Sequence, residues 1–377
     1  MDIFFNTNPE FTRWIASSGA LQEPFVVVDV GVLGGESPRW QFLGDHLVVH
    51  GFDAIKEVID ELSDKNAKAS NKRYHWFAIG NEDGEREFFF KPSNPTNSSF
   101  YRGPEPELQS RRVPVRKLDT LFRDGVIPKA DFIKVDVEGF ERDVFFGARE
   151  LLAAGVLGVE SETNFSSSAT YPDTHFGLIQ QVLLQHGMFV FDINFNRVPR
   201  AEYHEARSRR NLPQVPYEGT GKPATVNVLL CRDLTAERDG GLYYAKLPPP
   251  PSVDQILKAM SIYELHGLND IAVDTAARFA NELGQRLDVE RAVDLLSRAT
   301  GHVRLPEPPA PPEAETVAPV VAEPAPSQAG LAGSNVQNLE RALAALEAQI
   351  AAIHSSTSWR ITAPLRSLID RFRQAMR

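Results

Sequence analysis

Short, continuously apolar runs recur along the first two-thirds of the chain, and several are separated by stretches whose apolar residues fall three and four apart. Phe25–Val30, Leu47–Phe52, Tyr74–Ile79, Phe132–Val135, Val156–Val159, Met188–Ile193 and Thr225–Leu230 have the length and β-branched content of buried strands. Ile55–Leu62, Arg142–Leu152 and Phe176–Gln185 carry helical spacing between them. Strands apolar on both faces, alternating with amphipathic helices, predict βαβ units and a mostly parallel α/β sheet with helices on both sides. In such an open sheet a ligand lies beyond the carboxyl ends of the strands, near the point where strand order reverses. Residues just after each strand are therefore where chemistry is expected.

Composition breaks divide the remainder. Leu247 and the four prolines behind it exclude helix and central strand, closing a first domain at 1–246. Residues 252–304 return to helical spacing (Ile256, Met260, Ile262, Leu265) and predict a small helical region. Residues 305–333 are rich in Pro and Ala and read as a linker. Within 334–377, Val336, Leu339, Leu343, Leu346, Ile350 and Ile353 form a heptad seam, which predicts a coiled coil and hence a homo-oligomer. Pro364 then opens a final helix whose Leu365, Leu368, Ile369, Phe372 and Met376 share one face, beside Arg366, Arg371, Arg373 and Arg377. Such a basic amphipathic helix suits peripheral contact with an anionic membrane or packing on a partner.

Charge narrows the function classes. The 377 residues carry a formal net charge of -10, which leaves no basic excess for neutralising nucleic-acid phosphates. One cysteine, Cys231, excludes an intramolecular disulfide and a cysteine-rich zinc site. No basic-then-apolar leader opens the sequence and no apolar run approaches the ~20 residues that span a bilayer. A cytoplasmic protein, at most peripheral at the inner face of the membrane, is expected.

The first strand ends Asp29-Val30-Gly31-Val32-Leu33-Gly34-Gly35-Glu36-Ser37-Pro38, with Ser37 placed as N-cap and Pro38 as first residue of a following helix. Its Asp-x-Gly-x-x-x-Gly spacing is not the dinucleotide Gly-x-Gly-x-x-Gly, which disfavours a nicotinamide-dependent oxidoreductase. Asp29 and Glu36 make the turn acidic, a better match for a ligand with a cationic amino-acid end than for a pyrophosphate. Asp53, after the second strand, stands where a carboxylate accepts hydrogen bonds from ribose hydroxyls, or equally where it caps the helix starting at Ile55. Phe77-Ala78-Ile79 ends the third strand with small and apolar residues suited to a flat adenine ring.

The stretch Ala130-Asp131-Phe132-Ile133-Lys134-Val135-Asp136-Val137-Glu138-Gly139-Phe140-Glu141 is more specific. It resembles the FkbM-type methyltransferase family, whose fourth strand ends in Lys-x-Asp-x-Glu-Gly-x-Glu. Gly147-Ala148 ahead of Leu151-Leu152, the Leu118-Asp119 helix entry, Asn81-Glu82-Asp83-Gly84 and the Asp29, Gly31, Gly35 turn resemble that family in order across about residues 25–232. The resemblance implies a Rossmann-like class I methyltransferase sheet of seven strands, S-adenosyl-L-methionine as cofactor, and Asp29, Gly31, Gly35, Asp53, Ala78 and Asp136 as its binding residues. Two departures stand out: Val32-Leu33 replaces the family's usual Ala-Asn, and Asp53-Ala54 replaces a Glu-Pro pair.

The family's members methylate hydroxyl groups. An aliphatic hydroxyl has a pKa near that of water, roughly 15–16, so it needs a base during transfer. Asp136 and Glu138 are the catalytic candidates. Asp136 is equally placed to hold the cofactor's amino group, and Glu138-Gly139 equally suits a plain helix-entry turn. Both carboxylates are competent ligands of a divalent ion, but no metal-spaced cluster exists and no metal site is assigned. Glu160 and His175 are lesser candidates. The insert at 195–222, with Tyr203, Arg207, Arg209, Arg210 and Tyr217, is the expected acceptor-recognition element, suiting a small-molecule or glycan acceptor. Ser355–Arg366 resembles a segment near the ends of bacterial surface-polysaccharide enzymes, which points to sugar methylation in glycan synthesis. A non-catalytic adaptor with a degenerate methyltransferase domain is the competing reading.

Overall fold

The computed structural model describes residues 6–91, 98–102, 108–165, 175–198, 201–210, 222–235 and 250–298. The coiled-coil seam, the Pro/Ala linker and the final basic helix lie outside the described residues. The described residues all fall within one compact unit, Met1–Glu307.

In chain order, α1 (Glu10–Ser18) and β1 (Phe25–Val30) lead through a 3₁₀ helix (Pro38–His46) to β2 (Leu47–Asp53), α2 (Lys56–Lys65) and β3 (Lys72–Trp76). Then follow β4 (Ala78–Ile79), β5 (Gly84–Phe90), β6 (Gln109–Arg116), α3 (Leu118–Arg123), β7 (Phe132–Val135), α4 (Glu141–Phe146) and α5 (Arg149–Ala153). The domain continues with β8 (Gly158–Asn164), α6 (Phe176–Leu184), β9 (Met188–Val198), α7 (Ala201–Ser208) and β10 (Lys222–Arg232). Four helices close the described chain: α8 (Val253–Leu265), α9 (Asn269–Arg278), α10 (Ala280–Leu283) and α11 (Val289–Ser297).

Seven strands form one sheet in the order β3-β2-β1-β7-β8-β10-β9. The first five run parallel, while β10 is antiparallel to both β8 and β9. This is the seven-stranded, mostly parallel Rossmann-like sheet expected from the sequence. The chain moves outward from β1 to β3 and returns beside β1 as β7, so strand order reverses between β1 and β7. All six residues of β1 are buried, as a strand covered on both faces requires. Phe25, Val27, Val49 and Phe132 pack on one side with Trp40, α1 and α8–α11, whereas Val28, Val30, Ile133, Val135 and Val159 pack on the other with α3–α6. Among the described residues no helix is long and apolar enough to cross a membrane.

The helical segment after the prolines shares that core. Lys258 of α8 is buried and lies 3.0 Å from Asp131, itself buried at the entry to β7, where its Oδ2 also accepts the Val26 N–H at 2.8 Å. Glu264 caps α1 by accepting the Phe11 and Thr12 N–H groups at 2.9 and 2.7 Å.

Several local expectations are revised. The expected Tyr74–Ile79 strand splits at Phe77: Lys72–Trp76 belongs to the large sheet and Ala78–Ile79 to a second, three-stranded sheet in the order β4-β6-β5. The strands β5 and β6 carry too many charges, and β6 a proline (Pro114), to show as strands in the apolar pattern. The helix expected over Arg142–Leu152 breaks at Gly147, where a Cβ would meet the Gly80 carbonyl oxygen at 2.0 Å. Ser37 precedes a 3₁₀ helix, not an α-helix, and its hydroxyl accepts from Arg39 Nε at 3.2 Å instead of capping.

Candidate active site

Where strand order reverses, the carboxyl ends of the strands open onto a cavity of about 280 Å³. Val30, Gly31 and Leu33 line it from β1, Phe52, Asp53, Ala54 and Ile55 from β2, and Phe77, Ala78 and Ile79 from the third strand run. Lys134, Asp136, Val137 and Glu138 enter from β7 and Glu162 from β8, while Phe88, Ser98 and Phe100 of the smaller sheet and its hairpin form the opposite wall.

Of the residues expected from sequence, Gly31, Asp53, Ala78, Asp136 and Glu138 meet at this cavity. Gly31 has φ +84°, and a Cβ there would come within 1.8 Å of the Asp136 carbonyl oxygen. The glycine thus lets the first turn lie directly on the β7 loop. Asp53 takes the helix-entry role foreseen for it and also lines the cavity. Its Oδ1 accepts the Ile55 N–H at 2.8 Å, fixing the entry to α2, while burial at the cavity wall lifts its pKa to about 6.

Asp29 and Gly35 are not among the lining residues. Asp29 sits behind the wall, almost fully buried, with Lys134 Nζ 3.8 Å from its Oδ1. Burial raises its pKa to about 7 even against the pull of Lys134. Gly35, at φ +97°, faces Leu62. Glu36 is no free negative charge on the turn. Lys72 at 2.5 Å and the Tyr74 hydroxyl at 2.8 Å hold it, and they lower its pKa although burial acts to raise it.

Lys134 links the two layers, lying 3.3 Å from Asp136 Oδ2 as well as near Asp29. Burial opposes its charge, but Asp29, Asp136 and Glu160 outweigh that and hold its pKa above the ordinary lysine value. Glu138 has the opposite environment. Burial first, then the neighbouring Glu162, Asp136 and Glu141 carboxylates, raise its pKa to about 8. Glu162 is raised as well, by burial and then by Asp136. One wall of the cavity is therefore acidic, with proton acceptors stronger than ordinary carboxylates.

The lesser candidates fall elsewhere. Glu160 is buried 3.8 Å from both Arg39 and His266, and these partners bring its pKa down to about 2 against the effect of burial. His175 caps α6, its Nδ1 accepting the Gly177 N–H at 3.1 Å. Of the insert, Tyr203, Arg207, Arg209 and Arg210 lie on or just after α7 and none lines the cavity. Arg209 pairs with Glu205 at 2.5 Å, Arg207 sits over the Tyr203 ring at 5.7 Å, and Tyr217 lies outside the described residues.

Residues 38–187 match the family model described as the methyltransferase FkbM domain. Over those residues the chain is similar to the FkbM methyltransferase family. The match takes in Asp53, Ala78, Asp136, Glu138 and Glu162 and begins just after the first glycine turn. Among curated proteins none matches the chain. Looser likenesses exist among solved structures. Methyltransferase FkbM from Methylobacillus flagellatus KT aligns at 14% identity and TM-score 0.32, covering 58% of this chain and 47% of that one. Magnesium protoporphyrin IX methyltransferase from Synechocystis PCC 6803, solved with bound SAM, aligns at 10% identity and TM-score 0.29, covering 59% and 76%. Precorrin-6y C5,15-methyltransferase from Geobacter metallireducens GS-15 aligns at 13% identity and TM-score 0.28, covering 58% and 86%. The chain spans about half the length of the FkbM structure it matches.

The cofactor of an FkbM methyltransferase domain is S-adenosylmethionine, and the residues present fit it. Asp53 offers a carboxylate able to accept from ribose hydroxyls, and Ala78 between Phe77 and Ile79 offers small and apolar surface for a flat ring. Asp136, Glu138 and Glu162 offer carboxyl oxygens as acceptors to a ligand carrying an ammonium and a sulfonium. Sequence reading missed three parts of the wall: Lys134, Glu162 and the Phe88–Phe100 side. Lys134 stood inside the quoted motif without an assigned role. Glu162 was passed over because β8 runs to Asn164, beyond the expected strand end at Val159.

Proposed function

We propose that this domain transfers a methyl group from S-adenosylmethionine to a hydroxyl of a neutral sugar, as a step in glycan synthesis. The observation that carries the reading is the acidic wall of Asp136, Glu138 and Glu162 at the strand-reversal cavity. When bound, S-adenosylmethionine supplies an activated methyl on a sulfonium, so this chain's own residues have two tasks: aligning the acceptor oxygen and taking its proton.

Alignment by a preorganised site is worth up to about 7–11 kcal/mol in favourable cases. Asp136, anchored by Lys134, and Ala78 and Asp53 across the cavity define where donor and acceptor lie. Glu138 is the proton acceptor, because a base works best with a pKa near the operating pH and burial sets its value at about 8. With the cofactor bound, the Glu138 carboxylate would take the proton of the acceptor hydroxyl as that oxygen receives the methyl group. Glu162 beside it can accept a hydrogen bond from an adjacent hydroxyl, and Phe88 and Phe100 present apolar faces to a sugar ring. Carboxylates so close together repel an anionic acceptor group at the reacting end.

The test is transfer of a labelled methyl group to matched neutral and carboxylated sugars. Label in an alkali-stable ether on the neutral member, lost in Asp136→Asn and Glu138→Gln with the fold intact, is expected. Label appearing as a carboxyl ester would contradict the assignment.

A further inference from the structure

The loop between β7 and α4 holds a backbone that side-chain-bearing residues rarely adopt. Among the described residues Glu138 is the one non-glycine residue with positive φ, +50°, a conformation that persists only where its surroundings impose it. Here the surroundings can be named. The Ser99 hydroxyl donates to the Glu138 carbonyl oxygen at 2.6 Å. Glu141 Oε1 accepts the N–H groups of Gly139 and Val137 at 3.0 and 3.3 Å, on either side of Glu138. Phe100 packs on Phe140 with ring centroids 4.6 Å apart, and the Arg86 guanidinium lies over both rings.

Ser99 is itself fixed. It is buried, exchanges both backbone hydrogen bonds with Phe89 at 2.9 Å, and its Oγ accepts the Tyr101 N–H at 3.2 Å. The residues on either side, Ser98 and Phe100, line the cavity. One hydroxyl therefore ties the wall opposite the strand ends to the backbone of the proposed base.

We infer that Ser99 is a positioning residue: its hydrogen bond to the Glu138 carbonyl holds the left-handed backbone that keeps the Glu138 carboxyl in the cavity. The inference rests on the proposed role of Glu138, and it makes the hairpin and the base move together. Without the bond, Glu138 can relax to an ordinary backbone and swing its carboxyl toward water, away from Glu162, Asp136 and Glu141, and from Lys134, which lines the same cavity.

Titration of the full chain carrying ¹³C-carboxyl glutamate tests this by NMR, with the Glu138 signal assigned by Glu138→Gln. The wild type should titrate near 8. In Ser99→Ala the midpoint should fall by about one pH unit or more toward the ordinary glutamate value, while Ser99→Thr, which keeps the hydroxyl, should hold the wild-type value. Ser99→Cys, a weak donor of similar size, should also fall and serves if the alanine variant does not fold. Wild-type titration in a folded Ala or Cys variant, or loss of the raised value in the threonine variant, would overturn the inference. Calorimetry with S-adenosylmethionine on the wild type separates the two levels: absent binding sinks the methyltransferase reading, whereas intact binding with an unmoved titration sinks only the role of Ser99.

Discussion

Asp53→Asn is the substitution that separates the helix-entry contact of Asp53 from the ligand contact proposed for it. Asp53 Oδ1 fixes the entry to α2 through the Ile55 N–H at 2.8 Å, and asparagine keeps an amide oxygen for that bond. Alanine would remove it and confuse a lost cap with a lost ligand contact. What asparagine removes is the negative charge facing the cavity. Hydrogen bonds to charged groups contribute about 1.5–3 kcal/mol, so the dissociation constant for S-adenosylmethionine should rise about 10- to 150-fold at pH 8. The pH dependence gives a second, independent figure. With its pKa near 6 in the free protein, Asp53 is mostly ionised at pH 7 and mostly protonated at pH 5. If the ligand binds the ionised form, the wild type should lose about tenfold in affinity over that interval by linkage. The variant should lack that contribution. Isothermal titration at pH 5, 6, 7 and 8 measures both effects, with thermal melts confirming that the fold is unchanged. Wild-type affinity and wild-type pH dependence in Asp53→Asn would refute the reasoning and leave Asp53 a helix-entry residue only.

The ligand-free domain should lose stability as pH rises from about 7 to 8.5. Glu138, Asp29 and Glu141 have folded pKa values near 8, 7 and 7, all raised above their unfolded values. The folded state therefore holds more protons in that window, and the sign of linkage makes stability fall with pH. Differential scanning calorimetry should show a lower Tm at pH 8.5 than at pH 7 and a smaller difference in Glu138→Gln; an equal or larger difference in that variant would count against its buried environment. Lys258→Ala, which strands Asp131 in the core, should destabilise the domain by about 3–5 kcal/mol, and a cost under 1 kcal/mol in denaturant unfolding would mean that α8 is not docked as described. For the tail we propose assembly through the seam, so Leu343→Asp with Leu346→Asp should yield monomers in sedimentation with near-normal cofactor affinity; an unchanged mass would remove the seam from any interface.

The apolar pattern revealed the seven strands of the large sheet because β1, β7 and the Val156–Val159 run that enters β8 are buried and consist mostly of apolar residues. It failed at β5 and β6, whose outer positions are Glu, Arg and Ser and whose identity as strands depends on pairing with each other. It also failed at Gly147, where the helix breaks and the backbone lies against the Gly80 carbonyl, a contact 67 residues away in sequence that no local period encodes. At the site, Asp53, Asp136 and Glu138 were legible because strand ends can be read from sequence. The partnership of Lys134 with both Asp29 and Asp136 was not, since it depends on register across β1 and β7. The Ser99 latch was less legible still, because it joins the smaller sheet's hairpin to a loop 39 residues on.

We propose the cavity between the ends of β1, β2 and β7 as a methyl-donor site. Isothermal titration of the purified chain with S-adenosylmethionine and with S-adenosylhomocysteine, in wild type and in Gly31→Val, tests it most directly. One site per chain is expected for both ligands in the wild type. Gly31→Val should lose binding, because a Cβ there collides with the Asp136 carbonyl and displaces the β7 loop from the cavity. A wild-type chain that is folded by calorimetry yet gives no binding heat with either ligand, at several temperatures, would contradict it.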